Sequence, residues 1–186
     1  LKIMTVKINY KSSGSKKNLN NLVLFADEKF NINPLKKDLS NSEVSYISDL
    51  LKNSDLNKNM FVFELSSKKK IVLVSIKKNI KTSDIENLGA ELYGRVNYGK
   101  SSEYYLKSNN IITKDKNFIS HFLHGFKLKS YEFNKYKSKK NTRLITINVF
   151  GKKPSSYNLL KFKALEEGTF YTRDLVSEPG NVLHPD

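Results

Sequence analysis

The apolar residues of this 186-residue chain keep changing period, from every second residue to every third or fourth and back. That switching admits only an architecture in which strands and helices share a core. Met4, Val6, Ile8 and Tyr10 alternate with Thr5, Lys7 and Asn9, the pattern of a strand with one wet face. Leu22-Val-Leu-Phe25 is continuous and bounded by Asn and Asp, which predicts a strand covered on both faces. Met60 to Leu65 and Ile71 to Ile76 are two β-rich runs. Ser66-Ser67-Lys68-Lys69-Lys70 joins them, short enough for an antiparallel hairpin with a charged tip. Ile145, Ile147 and Val149 alternate with polar residues up to Gly151, and residues 131–136 are predicted to be extended.

Helical spacing fills the gaps between these runs. Ser40 stands three residues before Glu43, a capping box, and Val44, Ile47 and Leu51 follow until the Asn53-Ser54-Asp55 break. Ser83 and Glu86 predict a second capping box, with Ile85, Leu88, Gly89, Leu92 and Val96 on one face and Gly99 as the stop. Ile119, Phe122, Leu123 and Phe126 predict a helix over 115–127. Pro154 is expected to open the last helix. There Tyr157, Leu160, Ala164, Gly168, Tyr171 and Leu175 keep helical spacing for about six turns, with Lys161, Lys163, Glu167, Arg173 and Asp174 on the other side. The expected fold is α/β with a mixed sheet flanked by helices, ending in a long helix that looks like a connector.

The chain has no cysteine, which removes disulfides, thiolate metal sites and thiol nucleophiles and suits a reducing compartment such as the cytoplasm. Its longest apolar runs are far too short to span a bilayer, so no membrane partner is expected. The net charge of +15 invites a nucleic-acid reading. Only Arg95, Arg143 and Arg173 carry guanidinium groups, however. The remaining basic residues are lysines spread along the chain with clusters at 68–70 and 137–140, which reads first as a solvated surface able to support weak, salt-sensitive binding.

Three motifs bear on chemistry. Gly94-Arg-Val-Asn-Tyr-Gly99-Lys100-Ser101 satisfies the phosphate-loop pattern, with Asp27 as a conceivable magnesium-binding acid. Its order is reversed, because Gly94 falls at the end of a helix, where carbonyls and the negative dipole end would face a phosphate. His121 and His124 are three apart on a helix, the spacing of some metal pairs, but only Asp115 lies near them in sequence and a half-exposed packing role is expected. His184 stands alone. No G-x-S-x-G elbow or H-E-x-x-H motif is present. Gly151-Lys-Lys-Pro-Ser after a strand lacks the glycines of a nucleotide or ADP-ribose cradle.

The stretch Glu166-Glu-Gly-Thr-Phe-Tyr-Thr-Arg-Asp-Leu-Val-Ser-Glu-Pro-Gly-Asn-Val-Leu-His-Pro185 resembles the junction segment of the cytosol (leucyl) aminopeptidases. In that family a long helix ends in Arg-Asp-Leu-Val and is followed by a Glu-Pro-x-Asn-x-Leu-x-Pro turn. Gly125-Phe-Lys-Leu-Lys-Ser-Tyr131-Glu-Phe133-Asn-Lys-Tyr136-Lys137 and Leu88-Gly89-Ala90 support the resemblance, while Ser177 and His184 stand where Asn and Thr are common.

The resemblance implies a macro-domain-like, three-layer N-terminal domain over residues 1–152. Residues 153–186 would form a linker helix and a junction to a C-terminal catalytic domain that is absent here. It further implies a parent enzyme that releases N-terminal amino acids from peptides with two divalent metals, zinc or manganese, and assembles as a hexamer. The metal ligands would lie downstream, so no catalytic, cofactor or metal residue is assigned here and the chain alone is expected to be inactive. A basic nucleic-acid-binding role for the same domain is the alternative. The resemblance implies that Pro179 and Pro185, with Gly180-Asn181, turn the chain sharply toward the next domain.

Overall fold

A computed structural model of the chain describes residues 5–11, 19–98, 102–138, 143–180 and 182. Among the described residues, six strands and four α-helices follow one another as β1 (Val6–Lys11), β2 (Asn21–Ala26), α1 (Asn41–Lys52), β3 (Met60–Ser66), β4 (Lys69–Ser75), α2 (Thr82–Val96), β5 (Glu103–Lys107), α3 (Phe118–Lys129), β6 (Ile145–Phe150) and α4 (Ser156–Ser177). A 3-10 turn, Asn33–Leu35, lies between β2 and α1. The strands form one sheet in the order β1-β6-β5-β2-β4-β3, parallel except where β3 runs antiparallel to β4. The mixed α/β sheet flanked by helices expected from the periodicity is what the chain forms.

Alternation along the central strands builds two cores. Val23 and Phe25 of β2 join Val72 and Val74 of β4 and the inner faces of α2 and α3 on one side. Leu22 and Leu24 join Ile71 and Leu73 and pack with Ile47 and Leu51 of α1 on the other. β2 is buried at every position, as a strand with helices on both faces must be. The hairpin is tighter than the sequence implied, since Ser66 already pairs with Lys69 and only two residues turn between the strands.

Helix α1 carries its capping box: the Ser40 hydroxyl accepts the Glu43 N–H, and the Glu43 carboxylate accepts the Ser40 N–H at 2.8 Å. The second capping box does not form. Helix α2 starts at Thr82 with Lys81 at its N-cap and no side-chain cap, so Ser83 lies inside the first turn. Helix α3 begins at Phe118, three residues after the expected start, because Asp115 is used in a turn where its carboxylate accepts the Asn117 N–H at 2.7 Å. Pro154 does not open α4; Ser155 caps it and accepts the Asn158 N–H.

Residues 131–136 are not a strand; they follow α3 as an irregular segment tied to α4. Strand β5 escaped the periodicity reading because Glu-Tyr-Tyr-Leu-Lys is short and offers only Tyr104 and Leu106 as an alternating pair. Met4, residues 12–18 and Gly99 lie outside the described residues.

Helices α2 and α3 cross at van der Waals contact through two glycines. A Cβ added at Gly89 would lie 1.8 Å from the Phe122 carbonyl oxygen, and one at Gly125 would lie 1.9 Å from that of Glu86. Around this crossing Phe25 meets Phe122 edge-on at 5.3 Å and Tyr93 meets Phe126 at 5.2 Å.

Candidate functional site

The densest group of buried polar side chains lies where α4 rests on α3 beside β1. Helix α3 turns its apolar face to the sheet, which leaves Ser120, His121, His124 and Lys127 on the side that meets α4. Helix α4 answers with Phe162 and Glu166, the buried residues of its 22. The Phe162 ring sits between the two imidazoles, 5.0 Å from each ring centre. Glu166 accepts from Lys127 at 2.8 Å and lies 3.4 Å from His124 Nδ1. Burial, followed by the negative charge of Glu166, pushes the Tyr10 hydroxyl on β1 up to about 12. A shallow cleft lined by Ile8, Tyr10, His124, Asn158, Phe162 and Glu166 runs along this seam.

Both histidines therefore pack, the role expected of them for want of a further ligand nearby in sequence, though His124 is buried and not half-exposed. The carboxylates that meet them come from other elements: Glu86 of α2 at 3.4 Å and Asp115 at 3.9 Å for His121, and Glu166 for His124. Sequence distance hid Glu86 and Glu166 as partners, whereas Asp115, close to His121 in sequence, is the carboxylate that the sequence itself pointed to. The two imidazoles are separated by Phe162, so their carboxylates do not converge. Among the described residues no group of three or more His, Cys, Asp or Glu could hold a metal ion.

The phosphate-loop match is not assembled as a nucleotide site over its described part. Gly94 lies in the last turn of α2, and the helix ends at Val96, where Arg143 donates to the Val96 and Asn97 carbonyl oxygens at 3.4 and 2.5 Å. Gly99, Lys100 and Ser101 lie outside the described residues. Asp27 closes its own turn, accepting the Lys29 and Asn31 N–H groups. Gly151 has φ 136°, and a Cβ there would lie 1.9 Å from Ser108 Oγ, so this glycine serves the close approach of the loops after β5 and β6.

The lysine cluster at the hairpin is largely neutralised. Lys69 pairs with Glu43 and Lys70 with Glu64, leaving Lys68 exposed at the turn. Lys137 is exposed, whereas Lys139, Lys140 and His184 lie outside the described residues. At the far end of α4, Arg173 donates to the Leu128 carbonyl oxygen at 2.6 Å, Asp174 accepts from Tyr131 at 2.9 Å, and Glu178 accepts from Lys135 and Tyr136 at 2.5 Å. Arg173 and Asp174 thus lock the end of α4 to the last turn of α3 and to the segment that follows it. No helix among the described residues is long and apolar enough to cross a membrane.

The domain is of the type found in leucine aminopeptidases. A mutant of tomato leucine aminopeptidase superposes with a TM-score of 0.73 at 19% identity, covering 97% of this chain and 40% of that one. The bottromycin maturation enzyme BotP, solved in complex with Mn, superposes with a TM-score of 0.61 at 13% identity, covering 89% of this chain and 33% of its own. In sequence, the chain is 25% identical over 126 residues to the probable cytosol aminopeptidase of Nitrobacter winogradskyi, covering 63% of this chain and 25% of the relative. It is 33% identical over 73 residues to that of Methylorubrum extorquens, covering 37% of this chain and 15% of the relative. No family model matches. The chain is thus related to the N-terminal domain of the cytosol aminopeptidases, as its junction residues implied, and it spans about a quarter or less of the length of these curated relatives.

Proposed function

We propose that this chain is the N-terminal, non-catalytic domain of a metal-dependent leucyl aminopeptidase. The observation that carries the reading is the asymmetry of the structural match: nearly all of this chain is accommodated within less than half of a leucine aminopeptidase. On this reading residues 1–152 are the domain proper and residues 153–186 form the connecting helix and junction. The peptide bond is then cleaved in a catalytic domain beyond this chain, where zinc or manganese would activate water for attack on the scissile carbonyl. The chain's own contribution is architectural. It anchors the connecting helix through Phe162, Glu166 and Arg173, and it contributes to a cytoplasmic homo-oligomer, a hexamer in the form the family resemblance implies.

Hydrolysis of leucyl amides is the test, run on the 186-residue chain and on a form of the protein extended past Asp186, each with zinc or manganese. The extended form is expected to turn over and the 186-residue chain to be silent. Turnover by the 186-residue chain that survives repurification, or an extended form that fails to hydrolyse any aminoacyl amide, would overturn the reading.

A further inference from the structure

The cleft between α4, α3 and β1 collects hydrogen-bonding atoms that the packing leaves unused. Ser120 and His124 of α3 are only 8% and 7% exposed, and both line it. Among the described residues the Ser120 hydroxyl has no hydrogen-bond partner. His124 turns Nδ1 toward Glu166 at 3.4 Å, which places the ring proton on that side and leaves Nε2 as an unpartnered acceptor. The Tyr10 hydroxyl on β1 has no partner among them either, and with its pKa pushed up to about 12 it remains an O–H. Asn158 Nδ2 donates to Asn117 Oδ1 at 2.8 Å, so Oδ1 is the end of Asn158 left open. Glu166 gives Oε2 to Lys127 at 2.8 Å, and its Oε1 has only the 3.4 Å contact with His124. Polar groups buried without partners are a cost that folded chains ordinarily avoid, and here the open atoms of five residues border one space.

All five of those atoms can accept a hydrogen bond, and one belongs to a carboxylate. The group that satisfies them is therefore rich in N–H donors and positively charged, and a primary ammonium carries three donors and no acceptor. An anion would meet Glu166 at close range, in a setting where charge is poorly screened. Lys127 offsets part of the Glu166 charge from the other carboxylate oxygen, which leaves Oε1 facing the newcomer. At the mouth, the Lys163 side chain is 68% exposed and held only by a 3.9 Å contact with Glu167, so it is free to swing onto a carboxylate. Ile8, Leu123 and Leu159 supply an apolar wall. The cleft is shallow, so it takes a head group of a few atoms and leaves the rest of a small molecule against that wall. An ammonium, a carboxylate and a short aliphatic side chain on one small molecule make an α-amino acid.

We propose that the cleft between α4, α3 and β1 binds a free aliphatic α-amino acid, its ammonium seated among Tyr10, Ser120, Asn158 and Glu166 and its carboxylate on Lys163. The ligand touches three elements at once, so it stabilises the seating of α4 by mass action. The inference rests on the cleft alone. It needs no turnover and no second domain, so its failure and the failure of the aminopeptidase reading are separate results.

L-Leucine titrated into the 186-residue chain to about 20 mM, followed by proton–nitrogen correlation NMR, should give saturable shifts at the amides of Tyr10, Ser120, His124 and Asn158 with a dissociation constant of about 1 mM. At that ligand concentration, amide exchange in α4 should slow by about twentyfold. Ser120→Ala and Tyr10→Phe should each weaken binding at least about fivefold while the spectrum remains that of the folded chain. 4-Methylpentanoate, which is leucine without its ammonium, should not bind. 3-Methylbutylamine, which is leucine without its carboxylate, should bind more weakly than leucine. Lys163→Ala should lower the affinity for leucine to that for the amine and leave the amine unaffected. Absence of saturable shifts to about 20 mM overturns the inference. So does 4-methylpentanoate binding as well as leucine, or an affinity indifferent to both Ser120→Ala and Tyr10→Phe. Leucine affinity unchanged in Lys163→Ala overturns the assignment of the ligand as an amino acid.

Discussion

Replacing Gly125 by alanine tests whether the α2–α3 crossing sets the geometry of the whole helical layer. The new Cβ would lie 1.9 Å from the Glu86 carbonyl oxygen and 2.6 Å from its carbon, whereas ordinary contact begins near 3.4 Å. Both atoms are backbone in the middle of α2, so no rotamer change relieves the overlap and the helices must separate by about 1.5 Å. That movement pulls Phe122 and Phe126 away from Phe25 and Tyr93, which they meet edge-on at 5.3 and 5.2 Å. Overpacking commonly costs about 1–3 kcal/mol, and a backbone overlap belongs at or above the top of that range. The better helix propensity of alanine offsets up to about 1 kcal/mol. A net loss of about 3 kcal/mol is expected, which for a domain of this size lowers the melting temperature by about 6–12 °C. Gly89→Ala should cost a similar amount for the same reason, its Cβ falling 1.8 Å from the Phe122 oxygen. Because one separation relieves both overlaps, the double variant should lose clearly less than the sum. Gly94→Ala, in the same helix with nothing within 4 Å, is the control and should gain up to about 1 kcal/mol. Urea unfolding followed by circular dichroism reads all four. A Gly125→Ala midpoint within about 0.5 kcal/mol of wild type, or additive glycine variants, would refute the argument.

Three further outcomes follow from named groups. Burial alone would raise the Glu43 carboxyl, but hydrogen bonds from Lys69 and the Ser40 N–H hold it below its ordinary 4.5. Its contribution is therefore present above that value and lost as pH falls through the lowered one, so the stability gap between wild type and Glu43→Gln should shrink as pH is taken below 4.5; a constant gap would contradict this. Tyr10 titrates near 12 in the folded chain against 10.0 unfolded, so its contribution is complete below pH 10.0 and is lost as pH rises toward 12. Alkaline titration of stability should be shallower in Tyr10→Phe, and an unchanged slope would remove Tyr10 from the account. Phe162→Ala should cost about 3 kcal/mol and raise amide exchange across α4 while the sheet stays protected; exchange that rises uniformly would mean that α4 is not a separable layer.

Much of the fold was legible because burial and period coincide in the central strands. β2 and β4 are continuous apolar runs because helices cover both their faces, and Ser40 with Glu43 marked α1 because both halves of a capping box are visible in sequence. Ser83 and Glu86 carry the same letters without the box, since α2 begins one residue earlier at Thr82 and Glu86 is turned toward His121. Strand β5 was hidden by its five residues, two of which are tyrosines. The polar seam was hidden for a different reason. His121 meets Glu86 across 35 residues and His124 meets Glu166 across 42, and local spacing carries no information on such pairs.

The last helix is where periodicity was right and its usual interpretation was not. An apolar stripe on a surface helix ordinarily faces its own core, and here it faces away. The choice is made on α3. That helix spends Phe118, Phe122 and Phe126 on the sheet, so its outer side offers two imidazoles and an ammonium. An aliphatic stripe laid on those groups would strip them of water without replacing their hydrogen bonds. Glu166 replaces them, and Phe162 fills the space between the rings, so the polar edge of α4 is the one that docks. Once Glu166 and Phe162 are seated, a rigid helix has no freedom to hide its opposite edge. Tyr157, Leu160, Tyr171 and Leu175 are exposed as a consequence, an edge that the packing of this domain leaves uncovered.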